Sequence, residues 1–302
     1  MRKKQTKPNT ALLQRAYWGE SHPAAHQPGE GHRGFPPSAH PGGHGPPGGG
    51  GHPAVAAPPP EVPLCSRWAA EAFGFLADEV QRAVLDGQHL RLILLTSRQW
   101  GKSVVAALRA IWQAIFFPRS LIVVAGPVED QACELNLKIY HFLEQLGCKV
   151  HGGGRGKLAA YFPNGSRIVG LSEVPDHVRG YSAPALILVD EASFFKGDEI
   201  LASLMPMLAT RPDGAIWLMS TPKQQTGFFY NLWHQEGGPW HRIRVTASEI
   251  PDRISPAFLA EEQRRDPLMY RREYCCEFLA DDAALFSREA LTALLSDEVE
   301  PL

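Results

Sequence analysis

Thr96-Ser97-Arg98-Gln99-Trp100-Gly101-Lys102-Ser103 follows an unbroken apolar run, Leu92-Ile93-Leu94-Leu95, and opens an apolar-rich helical pattern from Val104 to Phe117. This order predicts strand, loop and helix, with Gly101-Lys102-Ser103 at the loop-to-helix junction. The junction restricts what the chain can fold into. A helix N-terminus at the end of a buried strand presents unpaired N–H groups and the positive end of the helix dipole, a combination that suits phosphate. Lys102 adds a mobile positive charge for β- and γ-phosphates, and Ser103 adds a hydroxyl for Mg²⁺. The expected nucleotide-binding residues are therefore Ser97, Arg98, Gln99, Trp100, Gly101, Lys102 and Ser103. The general pattern of such loops asks for Gly where Thr96 stands.

A second element supports the first. Ala185-Leu186-Ile187-Leu188-Val189 is an apolar run that ends in Asp190-Glu191. Such a run fits a strand buried on both faces of a parallel sheet. Acids at its C-terminal end fall where ligands bind in open α/β sheets. Asp190 is expected to hold Mg²⁺, directly or through water, and Glu191 to orient and polarise the attacking water. Taken alone, the two acids also fit a helix N-cap. Together with the Gly-Lys-Ser junction they point to hydrolysis of a nucleoside triphosphate.

Four buried strands are expected at 91–96, 121–126, 185–190 and 215–220. A helix is expected over 68–85 ahead of them, and the helices between them include one from Pro127 to about Leu146 and one near 198–209. Leu158 to Phe162 and Arg167 to Leu171 flank Pro163-Asn164-Gly165-Ser166, a hairpin signal. Right-handed crossovers then predict an α/β fold, a P-loop NTPase with a mainly parallel central sheet flanked by helices. His151-Gly152-Gly153-Gly154-Arg155-Gly156-Lys157 lacks the following Ser or Thr and reads as a flexible loop.

Residues 1–64 are rich in Pro, Gly and His and poor in large apolar residues, so they are expected to form a disordered tail. Six of the twelve His lie there (His22, His26, His32, His40, His44 and His52), without the tight pairing or neighbouring Cys of a metal site. The expected domain is 65–290, with 291–302 a remnant or linker. The net charge of −2 argues against a strong static grip on DNA and fits a local, transient contact. Five Cys without a Cys-x-x-Cys pair fit a reducing cytoplasm. No apolar run reaches membrane-span length, so no membrane partner is expected.

These residues resemble one family, the large subunit of phage DNA-packaging terminases. Ser97-Arg98-Gln99-Trp100-Gly101-Lys102-Ser103 is similar to its deviant Walker A, which tolerates Thr96. Val178-Arg179-Gly180-Tyr181 resembles its Arg-Gly element, and Asp190-Glu191-Ala192-Ser193 its Walker B ending. Ser220-Thr221-Pro222 is similar to its coupling motif, and Tyr274-Cys275-Cys276-Glu277-Phe278-Leu279 to the segment closing its ATPase domain. The order and spacing agree over about 65–290.

The resemblance implies an ATPase, with ATP and Mg²⁺, that drives double-stranded DNA into a procapsid. It also implies a homo-oligomeric ring, partnered by a portal protein and a small terminase subunit and docking transiently at the portal. Ser220 and Thr221 would then be coupling residues, with Lys102 and Glu191 catalytic. Arg98, in cis, and Arg179, in cis or in trans, are both candidates for transition-state charge. The family's usual nuclease domain is not expected in this chain. A helicase-like P-loop ATPase and a non-catalytic assembly or DNA-binding remnant stay open as alternatives.

Overall fold

The computed structural model describes residues 62–127, 129–148, 159–171, 181–195, 197 and 199–280. The tail 1–61, the glycine-rich loop 151–157, the Arg-Gly element 178–180 and residues 281–302 lie outside them. The Pro63 carbonyl accepts the Trp112 indole N–H at 2.9 Å.

The described strands are β1 (Arg91–Thr96), β2 (Leu121–Ala125), β3 (Ala159–Tyr161), β4 (Arg167–Leu171), β5 (Leu186–Asp190), β6 (Ala215–Ser220) and β7 (His241–Val245). They form one sheet in the order β3-β4-β2-β5-β6-β1-β7. Every pairing is parallel except the β3–β4 hairpin. The four expected strands appear within a residue of their predicted limits, and the hairpin turns at Pro163–Ser166 as its residues demand.

Strand alternation sorts the core into two layers. Leu92, Leu94, Ile122, Val124, Leu188, Trp217 and Met219 face one cluster. Packed there are α1 (Cys65–Phe73), α2 (Glu79–Asp86), α3 (Lys102–Phe116) and α4 (Glu129–Gln145). Ile93, Leu95, Val123, Ile187, Val189, Ile216 and Leu218 face the other, covered by α5 (Glu199–Leu204) and α6 (Gly227–His234). Central strands that bury both faces must be continuously apolar, which is why β1, β2, β5 and β6 stand out in the sequence.

Three expectations need correction. The helix expected over 68–85 is two helices. Gly74 ends α1 in the left-handed region at φ 67°, and Asp78 then starts α2 with a reciprocal capping box to Gln81. The helix expected near 198–209 keeps α geometry only through Leu204 and tightens to a 3-10 turn over Met205–Leu208. Pro206 has no N–H to extend the α ladder. Finally, β7 was not anticipated. His241-Arg242-Ile243-Arg244-Val245 alternates polar and apolar because it is an edge strand, and it pairs with β1 alone. Two helices follow it, α7 (Pro256–Arg265) and α8 (Pro267–Glu273).

Cys65 and Cys276 are buried, and burial raises both thiols, Cys276 to about 12. Raising a thiol suppresses the thiolate that reacts. Alkylation of the native protein at pH 8, read by mass spectrometry, should therefore leave Cys65 and Cys276 unlabelled until denaturant is added.

Candidate nucleotide site

Parallel register brings three strand ends level. Leu95 of β1 lies opposite Ser220 of β6, and Met219 of β6 lies opposite Asp190 of β5. The loops leaving these ends converge on a cleft of about 490 Å³. Its lining includes Ser97, Arg98, Gln99, Gly101, Lys102, Ser103, Asp190, Glu191 and Thr221. Residues scattered over more than a hundred positions of sequence thus share one site.

The loop 97–101 is held from outside itself. The Ser97 N–H donates to the Val245 carbonyl at 2.8 Å and the Arg98 N–H to the Glu273 carbonyl at 3.0 Å. The Trp100 carbonyl accepts from the Gln81 amide at 2.8 Å and from the Arg253 guanidinium. Arg253 also pairs with Asp78 at 2.9 Å and donates to Gln81 Oε1 at 2.9 Å. The left-handed turns fall at Gln99, φ 66°, and at Gly101, φ 98°. Thr96 is still strand, paired with Val245. Glycine is therefore not needed at 96, which accounts for the deviant pattern. Trp100 lends the loop its peptide only, because its ring is fully buried in the core.

Lys102 opens α3 and reaches across the cleft. Its Nζ lies 2.6 Å from Glu191 Oε1. Ser103 Oγ lies 3.3 Å from Asp190 Oδ2. Glu191 adopts φ 50°, a left-handed backbone just past β5. Strain of this kind costs about 1–3 kcal/mol and clusters at functional sites. The other Glu191 oxygen lies 3.3 Å from Ser220 Oγ.

Burial works against the Lys102 ammonium, but Asp190, Glu191 and the hydrogen bond to Glu191 outweigh it and hold it above the ordinary lysine value. Burial pushes the Asp190 carboxyl above the usual carboxylate range, Lys102 opposes this, and Glu191 adds to it. A hydroxyl, a carboxylate and phosphate oxygens are the hard donors magnesium takes.

Arg98 lines the cleft, but its guanidinium is held by Glu273 at 2.8 Å. Glu273 is 5% exposed and also accepts from Arg272 at 3.1 Å. Arg179 lies outside the described residues. Glu134, Lys138 and Phe194 line the cleft without having been expected there. Gln81, Arg253 and Glu273 were missed as well. Gln81 carried a legible signal in the Asp78-x-x-Gln81 box, and Glu273 directly precedes the quoted closing segment. Arg253 carried none.

The family described as terminase large subunit, T4likevirus-type, N-terminal, matches residues 93–293. The chain belongs to this terminase large-subunit family. It is similar to the large terminase subunits of Thermus phage G20c and Thermus virus P23-45, at 26% and 25% identity over 76% of this chain. The match covers 54% of each, so the chain spans about half the length of these relatives.

Among solved structures, the ATPase domain of the Thermus phage P74-26 large terminase shares the fold with a TM-score of 0.58 at 23% identity. That match covers 68% of this chain and 95% of that domain. The large terminase of another thermophilic bacteriophage, solved in complex with ADP, gives a TM-score of 0.56 at 13% identity, over 67% of this chain and 54% of that one.

Gln81 is fully buried, with its amide oxygen and nitrogen both engaged. Replacing Gln81 by Leu leaves the Trp100 carbonyl with Arg253 as its one remaining donor and takes one acceptor from Arg253, at a cost of about 1–3 kcal/mol. Urea unfolding should show a lower midpoint with an unchanged slope, and nucleotide affinity should fall with it.

Proposed function

We infer that this chain carries the ATP-hydrolysing motor of a phage DNA-packaging terminase. One observation carries the reading: Lys102, Ser103, Asp190, Glu191, Ser220 and Thr221 meet at the C-terminal edge of a parallel sheet, a convergence that supports phosphoryl transfer. Family membership supports it, as does the ADP-bound relative from a thermophilic bacteriophage.

In this reading the loop 97–103 cradles the phosphates, and Lys102 leaves Glu191 for the β- and γ-phosphate oxygens. Glu191, released from its ammonium partner, orients and polarises the attacking water. Ser103 and Asp190 would hold a magnesium ion, which would supply positive charge against the negative charge on the phosphates. Arg98 and Arg179 remain the two candidates for the arginine that stabilises the transition state. Arg98 can serve only after it leaves Glu273. Ser220 and Thr221 relay the state of the site. The proposed partners are double-stranded DNA, a portal protein, a small terminase subunit and further copies of this chain in a ring, in the bacterial cytoplasm. Among the described residues no helix is long and apolar enough to cross a membrane.

Steady-state ATP hydrolysis with and without linear double-stranded DNA tests the reading. Lys102→Ala should lower turnover at least ~100-fold, because it removes charge stabilisation in the transition state. Glu191→Gln should keep ATP affinity within about threefold and lose turnover ~100-fold or more. Undiminished turnover in Glu191→Gln removes the assignment of the base. Stimulation by DNA that needs portal-bearing procapsids points to packaging, and duplex unwinding without them points to a helicase.

A further inference from the structure

The geometry points to Ser193 as a positioning residue that makes the loop after β6 respond to occupancy of the nucleotide cleft, a role that rests on the nucleotide reading above. Ser193 sits on the single 3-10 turn Ala192–Phe194, directly after Glu191. Three hydrogen bonds tie it to the end of β6. Its N–H donates to Ser220 Oγ at 3.2 Å, its Oγ lies 2.7 Å from Ser220 Oγ, and its Oγ donates to the Thr221 carbonyl at 2.7 Å.

Proton counting decides the direction of the middle bond. A carbonyl oxygen only accepts, so the one hydroxyl hydrogen of Ser193 goes to Thr221. The 2.7 Å contact must then be Ser220 donating to Ser193. Ser220 also has a single hydroxyl hydrogen, and Glu191 Oε2 competes for it at 3.3 Å. Ser220 is thus a fork with one proton and two acceptors. In this structure the shorter arm goes to Ser193, while Lys102 satisfies the other Glu191 oxygen at 2.6 Å.

When Lys102 turns to a phosphate, Glu191 loses its cation. Hydrogen bonds to an ionised carboxylate are about twice as strong as neutral ones, so the Ser220 hydrogen moves to Glu191. Ser193 Oγ is then left without its donor, and its own bond to Thr221 weakens, because bonds in a chain polarise one another. The next residues carry that change outward. Lys223 lies over the Phe194 ring at 5.1 Å, Gln224 bridges to Leu279, and Gln225 bonds the Leu279 carbonyl at 3.1 Å and the Phe278 carbonyl at 3.3 Å. Ser193 itself contacts neither Lys102 nor Ser103 through any of these bonds. Its loss should therefore silence the loop without weakening the nucleotide.

The test measures hydrogen exchange at 221–225 and 278–279 in the full chain, with and without ATP-γ-S and magnesium, beside ATP-γ-S affinity. The unmodified chain should change its protection at 221–225 on binding. Ser193→Ala should bind ATP-γ-S within about twofold of the unmodified chain, yet lose most of that change, on the order of tenfold in exchange rate. Ser193→Thr, which keeps the hydroxyl, should restore it. A full change in Ser193→Ala overturns the inference. So does a loss of affinity as large as that of Lys102→Ala, which would make the role structural. Failure of the unmodified chain to bind ATP-γ-S removes the nucleotide reading itself, and this inference with it. Should circular dichroism show Ser193→Ala unfolded, Ser220→Ala deletes the shared hydrogen from the other side. It should lose the same change, and retention of that change overturns the inference.

Discussion

The site depends on parallel register in the middle of the sheet. β6 lies between β1 and β5, and its pairings set Ser220 level with the end of β1 and Asp190 level with Met219. A slip of one residue in either pairing would turn every side chain of that strand to the opposite layer. The two buried clusters forbid this, because each takes alternate residues of the same strands. The geometry among Lys102, Glu191 and Ser220 is therefore held by apolar packing some distance from the polar atoms themselves.

Register alone does not shape the loop. Its peptides at Ser97, Arg98 and Trp100 are pinned by Val245, Glu273, Gln81 and Arg253. Three of these four partners come from the last part of the described chain. The segment from Glu273 to Leu279 touches the site at both ends, through Arg98 at one and through Gln224 and Gln225 at the other. A change in the cleft thus has two physical routes to the segment Glu273–Leu279.

Much of the fold was legible because its four central strands bury both faces and so must be written as unbroken apolar runs. The hairpin was legible from Pro163-Asn164-Gly165-Ser166. Strand β7 was not, since an edge strand needs only one apolar face and reads as an ordinary polar stretch. The break between α1 and α2 was hidden for a related reason: their apolar residues keep helical spacing across Gly74, and only the left-handed turn there separates them. Of the candidate site, the loop 97–103 and Asp190-Glu191 were legible because the chemistry proposed for them asks for particular residue types at fixed local spacing. The burial of the Trp100 ring was not legible, since adjacency in sequence says nothing about which way a ring points.

By itself the sequence determined the α/β class, the central strands and the Gly-Lys-Ser and Asp-Glu residues at the strand ends, because each of these is a local pattern of polarity or spacing. Only the tertiary structure decided the strand order, the ion pairs Lys102–Glu191 and Arg98–Glu273, and the pinning of the loop by Gln81 and Arg253. It likewise decided the hydrogen-bond fork at Ser220. Each of these joins residues far apart in the chain, and a contact between distant residues is set by how layers pack, which no local pattern encodes.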